Sequence, residues 1–577
     1  MNIVNQAHDR YEPGVPFTVP IWEDSLFLLL EDAAKNYPNR IAIDYFGAEI
    51  TYKEVLEQTK CAASLLVSAG VKAGDTVAII LPNCPQAFVA FYACMRIGAV
   101  AAEHNPLAPA GELQGQFARH KAKVAVVWEK SVEACPLDGD TGLETVFAVD
   151  ISAKFPRSQR MLLNLPVRMA REKREQLRSD VPSGMRSWDK EVQSASPISP
   201  TFPRPKGDDR AVILHTGGTN GVPKSVPLTH KNIGTNVNQC MFWVFELHEG
   251  AETCFSLLPY FHAFGLTFFL CAVVRKAATQ IVLPKFDPEM ALDAHRRRNV
   301  TFFVGVPPMF EKIAKEALRT DTDITSIRYS VAGAMALSDS IAQLWERTTG
   351  QIIIEGYGLS ETSPVLCGSA FSKNRRLGTL GMPFPSTKLR LADLENPDID
   401  VKDGEPGEIL VKGPQVFSGY LDAPEETARV FTKDGWFRTG DIGINHNGYI
   451  DLADRKKELI LSGGFNVYPS QVEAAIRTMP GVADVAVVGT PGSDNHEEVT
   501  AALILEEGSP AITLDDVRAW AEEALAHYAL PRKIAFLTEL PRNPIGKVMR
   551  RKVKEQLSHS ATKAIETIIR SKDFDQE

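Results

Sequence analysis

The sequence predicts an α/β protein of more than one domain, and three observations carry that reading. Short apolar runs alternate with amphipathic stretches of helical length, the pattern of parallel βαβ units. At 577 residues the chain is longer than one compact core accommodates. Toward the C-terminal end the rhythm changes twice, first to a Gly- and Pro-rich stretch of short β-like runs, then to a compact mixture of strands and helices.

In chain order, Trp22 to Tyr37 has helical periodicity and stops at Pro38. Ile41–Tyr45 and Ile50–Tyr52 read as strands around a turn at Gly47, and Tyr52–Ala69 as an amphipathic helix closed by Gly70. Asp75–Leu81 is a buried strand, Gln86–Ile97 a helix ended by Gly98, and Val124–Trp128 another strand. Residues 153–205 break the alternation. Lys154, Arg157, Arg160, Arg168, Arg171, Lys173, Arg174 and Arg178 are interleaved there with Met161, Leu162, Leu163, Leu165 and Val167. Two readings stand: a basic amphipathic surface that touches anionic membrane or an acidic partner, and a solvated insertion helix. Pro166 and the scarcity of aromatics favour the solvated helix.

An apolar run, Ala211–Leu214, leads into LHTGGTNGVPKSVPLTH over residues 214–230. Gly217, Gly218 and Gly221 with Thr216 and Thr219 precede Lys224, a composition suited to turning backbone N–H groups and a mobile cation toward phosphate. It misses a Walker loop because Pro223 stands before Lys224, and an ordinary Gly-rich turn explains it almost as well. Alternation then resumes. Ile281–Leu283, Thr301–Val304, Tyr329–Ala332 and Ile352–Glu355 read as strands, and Pro288–Arg298, Pro307–Leu318 and Ser338–Thr348 as helices. Residues 378–419 form a small β-rich subdomain. The last part combines strands Val485–Gly489, Val499–Leu505 and Ile534–Leu537 with helices Gln471–Thr478 and Leu514–Leu525.

Composition narrows the class. Hydrophobic residues at 44% and charged residues at 23% are those of a soluble globular protein, and a net charge of −9 argues against nucleic acid as partner. The eight cysteines are scattered without a CxxC pair, which fits a reduced, cytoplasmic compartment. The polar N-terminal stretch has no signal-peptide pattern, and the longest apolar run, Phe264–Val274, is too short to span a bilayer.

Further clusters follow the Gly-rich loop: Pro259–Gly265 around His262; Glu355-Gly356-Tyr357-Gly358-Leu359-Ser360-Glu361-Thr362; Trp436–Asp441; Asp454-Arg455-Lys456-Lys457-Glu458 ahead of Gly463-Gly464; and Pro541–Val548 around Lys547. Taken singly, each is explained by a core histidine, a polar turn or a surface lysine. Together and in this order, they resemble the adenylate-forming superfamily of acyl-CoA synthetases, peptide-synthetase adenylation domains and luciferases. The match runs from about Ser25 to Arg551 and looks most similar to bacterial long-chain fatty acid–CoA ligases.

The resemblance implies a large N-terminal domain (1–453) of doubly wound sheets plus a β-barrel-like subdomain, a hinge at 454–457, and a small mobile α+β C-terminal domain (458–577). It implies ATP, Mg²⁺ and CoA as the small molecules, with a fatty acid as the substrate activated. Thr216, Gly217, Gly218, Thr219, Asn220, Gly221 and Lys224 would close on the ATP phosphates. Tyr357 would lie on adenine, with Gly333, Ala334, Glu355, Gly356 and Gly358 around it. Ser360 would contact phosphate, Glu361 would bind Mg²⁺, and Asp441 and Arg455 would hold the ribose. Lys547 would reach the carboxylate and α-phosphate, His262 would wall the acyl pocket, Lys457 would sit at the hinge, and Gly463 and Gly464 would line the thiol tunnel.

The chain departs from the family pattern at Gly217, Asn220, Ser225 and Ser360, and lacks a customary proline within 332–337. No required charge is lost. The expected reaction is ATP-dependent activation of a long-chain fatty acid as acyl-AMP, then transfer to CoA. Medium-chain or aryl acids, an acyl-carrier protein as acceptor, and a non-catalytic acyl or nucleotide sensor are the alternatives. The expected location is cytoplasmic, with peripheral contact at the inner membrane face left open by the basic insertion.

Overall fold

The computed structural model describes residues 3–137, 141–216, 224–244, 246–372, 375–462, 465–492, 497–544 and 546–560. It is a mixed α/β protein, and the chain divides into two compact units: residues 1–388 with 411–437, and residues 389–410 with 438–577. The four strands that contain the 389–410 excursion therefore group with the C-terminal part.

In the first unit the described strands form two sheets. The seven-stranded sheet has the order Arg186–Ser187, Thr145–Val149, Val124–Trp128, Thr76–Ile80, Val100–Glu103, Arg210–Thr216, Lys224–Thr229. Its strands are parallel except for the last, which turns back on Arg210–Thr216 as a hairpin. The nine-stranded sheet has a parallel centre, Ile41–Tyr45, Thr279–Val282, Thr253–Ser256, Phe302–Gly305, Tyr329–Gly333 and Ile353–Gly358, with antiparallel strands at both edges. In both sheets successive strands are added on opposite sides of an early strand. Crevices thus open at the carboxyl ends of the strands, where such sheets bind ligands.

Local chemistry explains the elements. The helix Tyr52–Ser68 starts with a capping box in which Thr51 Oγ1 accepts the Glu54 N–H and Glu54 accepts the Thr51 N–H. Pro85–Ile97, buried along its whole length, ends at Gly98, whose φ of 74° is the left-handed cap. The run expected to be a buried element is a helical segment from Ala263 to Arg275 with a π-helical middle, Leu266–Ala272. The first long helix differs from expectation. It begins at Phe27, not Trp22, because the Trp22 N–H is taken by Thr235 Oγ1 and its indole fills the space over Gly234.

In the second unit a four-stranded sheet (Lys388–Ala392, Pro406–Lys412, Phe437–His446, Tyr449–Arg455) forms the β-rich part. The C-terminal part has a three-stranded sheet, Val482–Pro491, Glu497–Leu505 and Lys533–Phe536, around a core that includes Val472, Ile476, Val487, Leu503 and Val517.

Candidate active site

Thr216 and Lys224 stand opposite one another at the open end of the Arg210–Thr216 and Lys224–Thr229 hairpin. Gly217, Gly218, Thr219, Asn220 and Gly221, expected to bind phosphate, lie outside the described residues. The base of the loop shows how its lysine is aimed. Lys224 Nζ lies 4.4 Å from the centroid of the Tyr420 ring, a cation–π contact. The Tyr420 hydroxyl donates to Glu361 Oε1 at 2.9 Å. Burial, and after it the charge of Glu361, push the Tyr420 phenol well above its usual value, so the hydroxyl keeps its proton and remains a donor. The segment is pinned at both ends, by Phe417 N–H to Glu361 O at 2.8 Å and Leu421 N–H to Ser225 O at 3.0 Å. Sequence reasoning missed Tyr420; its only signal was a glycine–tyrosine pair ahead of the helix Pro424–Val430.

Glu361 itself is buried in the turn Ser360–Thr362, just beyond the strand Ile353–Gly358. A Cβ on Gly358 would lie 1.8 Å from Pro364 O, so the strand end closes on the turn only with glycine there. Gly333 pairs with Gly356, the residue before Tyr357, across the sheet. A Cβ on Gly333 would meet the Phe264 ring at 2.9 Å and Gly356 O at 3.3 Å. Ala334 follows with a φ of 65°, so the chain turns sharply at the strand end. The structure thus brings Gly333, Ala334, Gly356, Tyr357 and Ser360 to neighbouring strand ends. Glu355 has a different setting. Its carboxylate accepts the Leu337 N–H at 3.1 Å and the Gly378 N–H at 2.8 Å, which ties two loops to the strand. Burial raises its pKa.

His262 lies where the buried helical segment begins. Its Nδ1 accepts the Phe264 N–H at 3.2 Å, and burial pushes the imidazole down to about 4. It is neutral at pH 7. Phe264, two residues on, is the ring that closes over Gly333.

The second unit gathers a second set of groups. Asp441 and Arg455 are register partners on adjacent strands, joined by an ion pair of 3.1 Å, and Asp441 is buried. Lys547 lies in a turn held by Asn543: Asn543 Oδ1 accepts the Lys547 N–H at 2.8 Å, and the Asn543 N–H donates to Lys547 O at 2.9 Å. Burial first, and then the charge of Arg455, push the Lys547 ammonium down to about 8, against the pull of Asp441 and Glu458. Lys457 is exposed in the 3₁₀ turn Lys456–Glu458, and Gly463 and Gly464 lie outside the described residues.

Arg550, absent from any sequence expectation, ties this region together. It reaches both oxygens of Glu473 at 2.8 and 2.6 Å, Ser470 Oγ at 2.8 Å, Asp454 at 3.5 Å, and Glu458. Burial raises the Asp454 carboxyl despite Arg550. At Glu458 burial also acts upward, but Arg550, Arg455 and Lys547 outweigh it and hold the group lower.

Glu361 offers a hard carboxylate oxygen held in place by a tyrosine hydroxyl, which is donor chemistry that fits Mg²⁺.

The AMP-binding enzyme family matches residues 30–421. The chain belongs to that family. The C-terminal domain of AMP-binding enzymes matches residues 471–547, ending on Lys547. A long-chain-fatty-acid–CoA ligase from Bacillus subtilis (strain 168) is 32% identical over 553 residues, covering 95% of this chain and 97% of the relative. A 4-coumarate–CoA ligase from Oryza sativa subsp. japonica is 29% identical, covering 89% and 88%. Among solved structures, ATP-bound MatB from Rhodopseudomonas palustris superposes with a TM-score of 0.80 at 29% identity, covering 92% of this chain and 98% of that one. ATP and CoA are the substrates that fit this adenylate-forming family.

Proposed function

We propose that this acyl-CoA ligase activates a long-chain fatty acid. One oxygen of the fatty carboxylate attacks the α-phosphorus of ATP, the bond from that phosphorus to the bridging oxygen breaks, and pyrophosphate leaves. The CoA thiol then attacks the acyl carbonyl, loses its proton, and expels AMP. The observation that carries the reading is Lys547, a lysine in surroundings that push its ammonium down to about 8, in the same unit as the paired Asp441 and Arg455. An anion attacking an anion needs fixed positive charge, and a partly buried ammonium supplies more of it than a solvated one.

In this reading Lys224 and the loop before it take the β- and γ-phosphates, and Ser360 contacts phosphate. Tyr357 with Gly333, Ala334 and Gly356 takes adenine, and Asp441 and Arg455 hold the ribose. When bound at Glu361, Mg²⁺ supplies charge neutralisation at the phosphates. His262 walls the acyl pocket as a neutral ring. Residues 454–457 are the joint at which Lys547 withdraws between half-reactions, and Gly463 and Gly464 line the thiol path.

Long-chain preference is supported by the Bacillus subtilis relative, and an aryl acid by the Oryza sativa one. The deciding measurement is pyrophosphate release with CoA across saturated acids of increasing chain length, with 4-coumarate in parallel. The expected result is the highest kcat/KM for a long-chain acid. A 4-coumarate value above every fatty acid would favour the aryl reading, and no release with any acid would end the ligase assignment.

A further inference from the structure

Three histidines that the proposed reaction does not use meet directly behind the phosphate hairpin. His104 follows the strand Val100–Glu103, His120 ends the helix Ala110–His120, and His215 is the penultimate residue of Arg210–Thr216, next to Thr216. One ring nitrogen from each lies within 4.8 Å of those of the other two. His104 and His120 are buried, and the His104 and His215 rings stack at 4.6 Å. The cluster also lies at the carboxyl ends of two adjacent parallel strands.

The hydrogen bonds around the rings favour lone pairs turned inward. Gln116 Oε1 lies 2.6 Å from His104 Nδ1, and Gln116 is itself oriented by its amide donating to Glu112 Oε1 at 3.1 Å. An N–H at His104 Nδ1 leaves Nε2 as a lone pair. Ser225 Oγ lies 3.3 Å from His215 Nδ1. His215 Nε2 is buried and has no hydrogen-bond partner among the described residues. A buried imidazole nitrogen left over in this way needs an explanation. Ser225, a departure from the family pattern, gains a role here: it stands opposite His215 in the hairpin and orients its ring.

His120 differs. Its Nδ1 accepts the Ala122 N–H at 3.3 Å, which places its own proton on Nε2, 3.0 Å from His104 Nε2. Burial pushes His104 down to about 4. Burial and then His104 push His120 to about 2, and burial with His104, His120 and Arg119 lowers His215. Neutral imidazole is the form that ligates metal.

We propose that His104, His120 and His215 form a binding site for a borderline-soft divalent ion of the Zn²⁺ or Co²⁺ class, built into the base of the phosphate hairpin. Three imidazoles and a water make a tetrahedral set, whereas Mg²⁺ prefers oxygen and is not taken. Metal–nitrogen bonds of about 2.0–2.1 Å set ligand atoms roughly 3.3 Å apart. His104 Nε2 and His120 Nε2, 3.0 Å apart, already stand near that spacing, and His215 moves in toward them. The ion replaces the proton between His104 and His120. That proton moves to His120 Nδ1, at the expense of the contact with Ala122. Arg119 opposes added positive charge, so affinity is expected to be below that of closed structural zinc sites. Because His215 adjoins Thr216, an ion there ties down one arm of the hairpin.

The test uses the full chain, stripped with chelator and titrated with Co²⁺ while visible d–d bands and calorimetry are followed, in excess Mg²⁺. One tetrahedral Co²⁺ per chain, displaced by Zn²⁺ and unaffected by Mg²⁺, is expected. His104→Gln, His120→Gln and His215→Gln should each weaken binding at least tenfold. Ser225→Ala leaves all three ligands in place and covers a histidine variant that fails to fold. It should weaken binding by roughly tenfold through loss of ring orientation. The absence of tetrahedral bands, or binding unchanged in Ser225→Ala and in every folded histidine variant, would overturn the site.

Discussion

Lys547 shows how much of a residue's chemistry lies outside its side chain. An exposed lysine stays charged to about 10.4. Burial and Arg455 push this one down to about 8. On the proposed mechanism acyl-AMP formation draws on this cation, so it should decline as pH rises through about 8 in single-turnover assays at subsaturating ATP. Lys547→Arg should be slower at pH 7 but flat over the same range, because a guanidinium does not discharge. A wild-type profile flat to pH 9.5 would contradict the assignment. The stability consequence has the opposite sign. Between about pH 8 and 10.4 the unfolded chain binds the proton that the folded chain has released, so this group's contribution to stability improves as pH rises there. Tyr420 makes the second case. Tyr420→Phe keeps a ring for Lys224 but removes the hydroxyl from Glu361. The expected result is a 10- to 100-fold rise in the Mg²⁺ concentration required for half-maximal activity, with ATP affinity at saturating Mg²⁺ little changed. Lys547, Asp441 and Arg455 were legible in the sequence because each stands in a recognisable cluster. Tyr420 and Arg550 were not, because their partners lie 59 and 77 residues away.

Elements were legible where local chemistry decides them. Gly70 and Gly98 closed their helices as expected, whereas Thr51, read only as part of a strand, also caps the helix it precedes. The start at Phe27 was not legible, since a distant threonine competes for the Trp22 backbone. The clearest case is the segment 454–458, which reads in sequence as a charged joint. In the structure the Asp454 and Glu473 carboxylates, both largely buried, converge on one guanidinium carried by the C-terminal helix Arg550–Ser560. Arg550→Ala leaves those carboxylates without their partner and should cost about 3–5 kcal/mol. Hydrogen exchange should show the loss concentrated in residues 454–477. Arg550→Lys should rescue little, because a point charge cannot serve both Glu473 oxygens together. Even protection across the chain in Arg550→Ala would show that the cluster contributes nothing locally.

At the scale of the molecule, charge and apolar surface are unevenly distributed. The chain carries a net charge of −9, yet Arg157, Arg168, Arg171 and Lys173 project from the helices Arg157–Leu163 and Arg168–Leu177. Between and beside them Met161, Leu162, Leu165, Val167 and Met169 are exposed, Met161 and Met169 by 72% and 70%. Other basic residues of the segment face inward: Arg178 pairs with Asp150, Lys154 with Asp189, and Arg174 donates to the carbonyl of Leu165. Among the described residues no helix is long and apolar enough to cross a membrane. Exposed apolar side chains beside basic ones are the composition that binds anionic bilayers, by apolar insertion added to charge attraction. Co-sedimentation with vesicles containing anionic lipid should be strong, should fall several-fold in Met161→Ser/Met169→Ser, and should fall again in high salt. Binding indifferent to both changes would return the segment to the solvated-helix reading. The sequence by itself determined the α/β class and the order of the adenylate-forming clusters. Periodicity, glycine placement and motif order are properties of neighbours in the chain. Only the tertiary structure decided which groups face one another: Tyr420 beneath Lys224, Arg550 among its carboxylates, the three histidines behind the phosphate hairpin, and the side of the insertion on which its apolar residues lie. Those facts depend on burial and on contacts across tens to hundreds of residues, which no local pattern encodes.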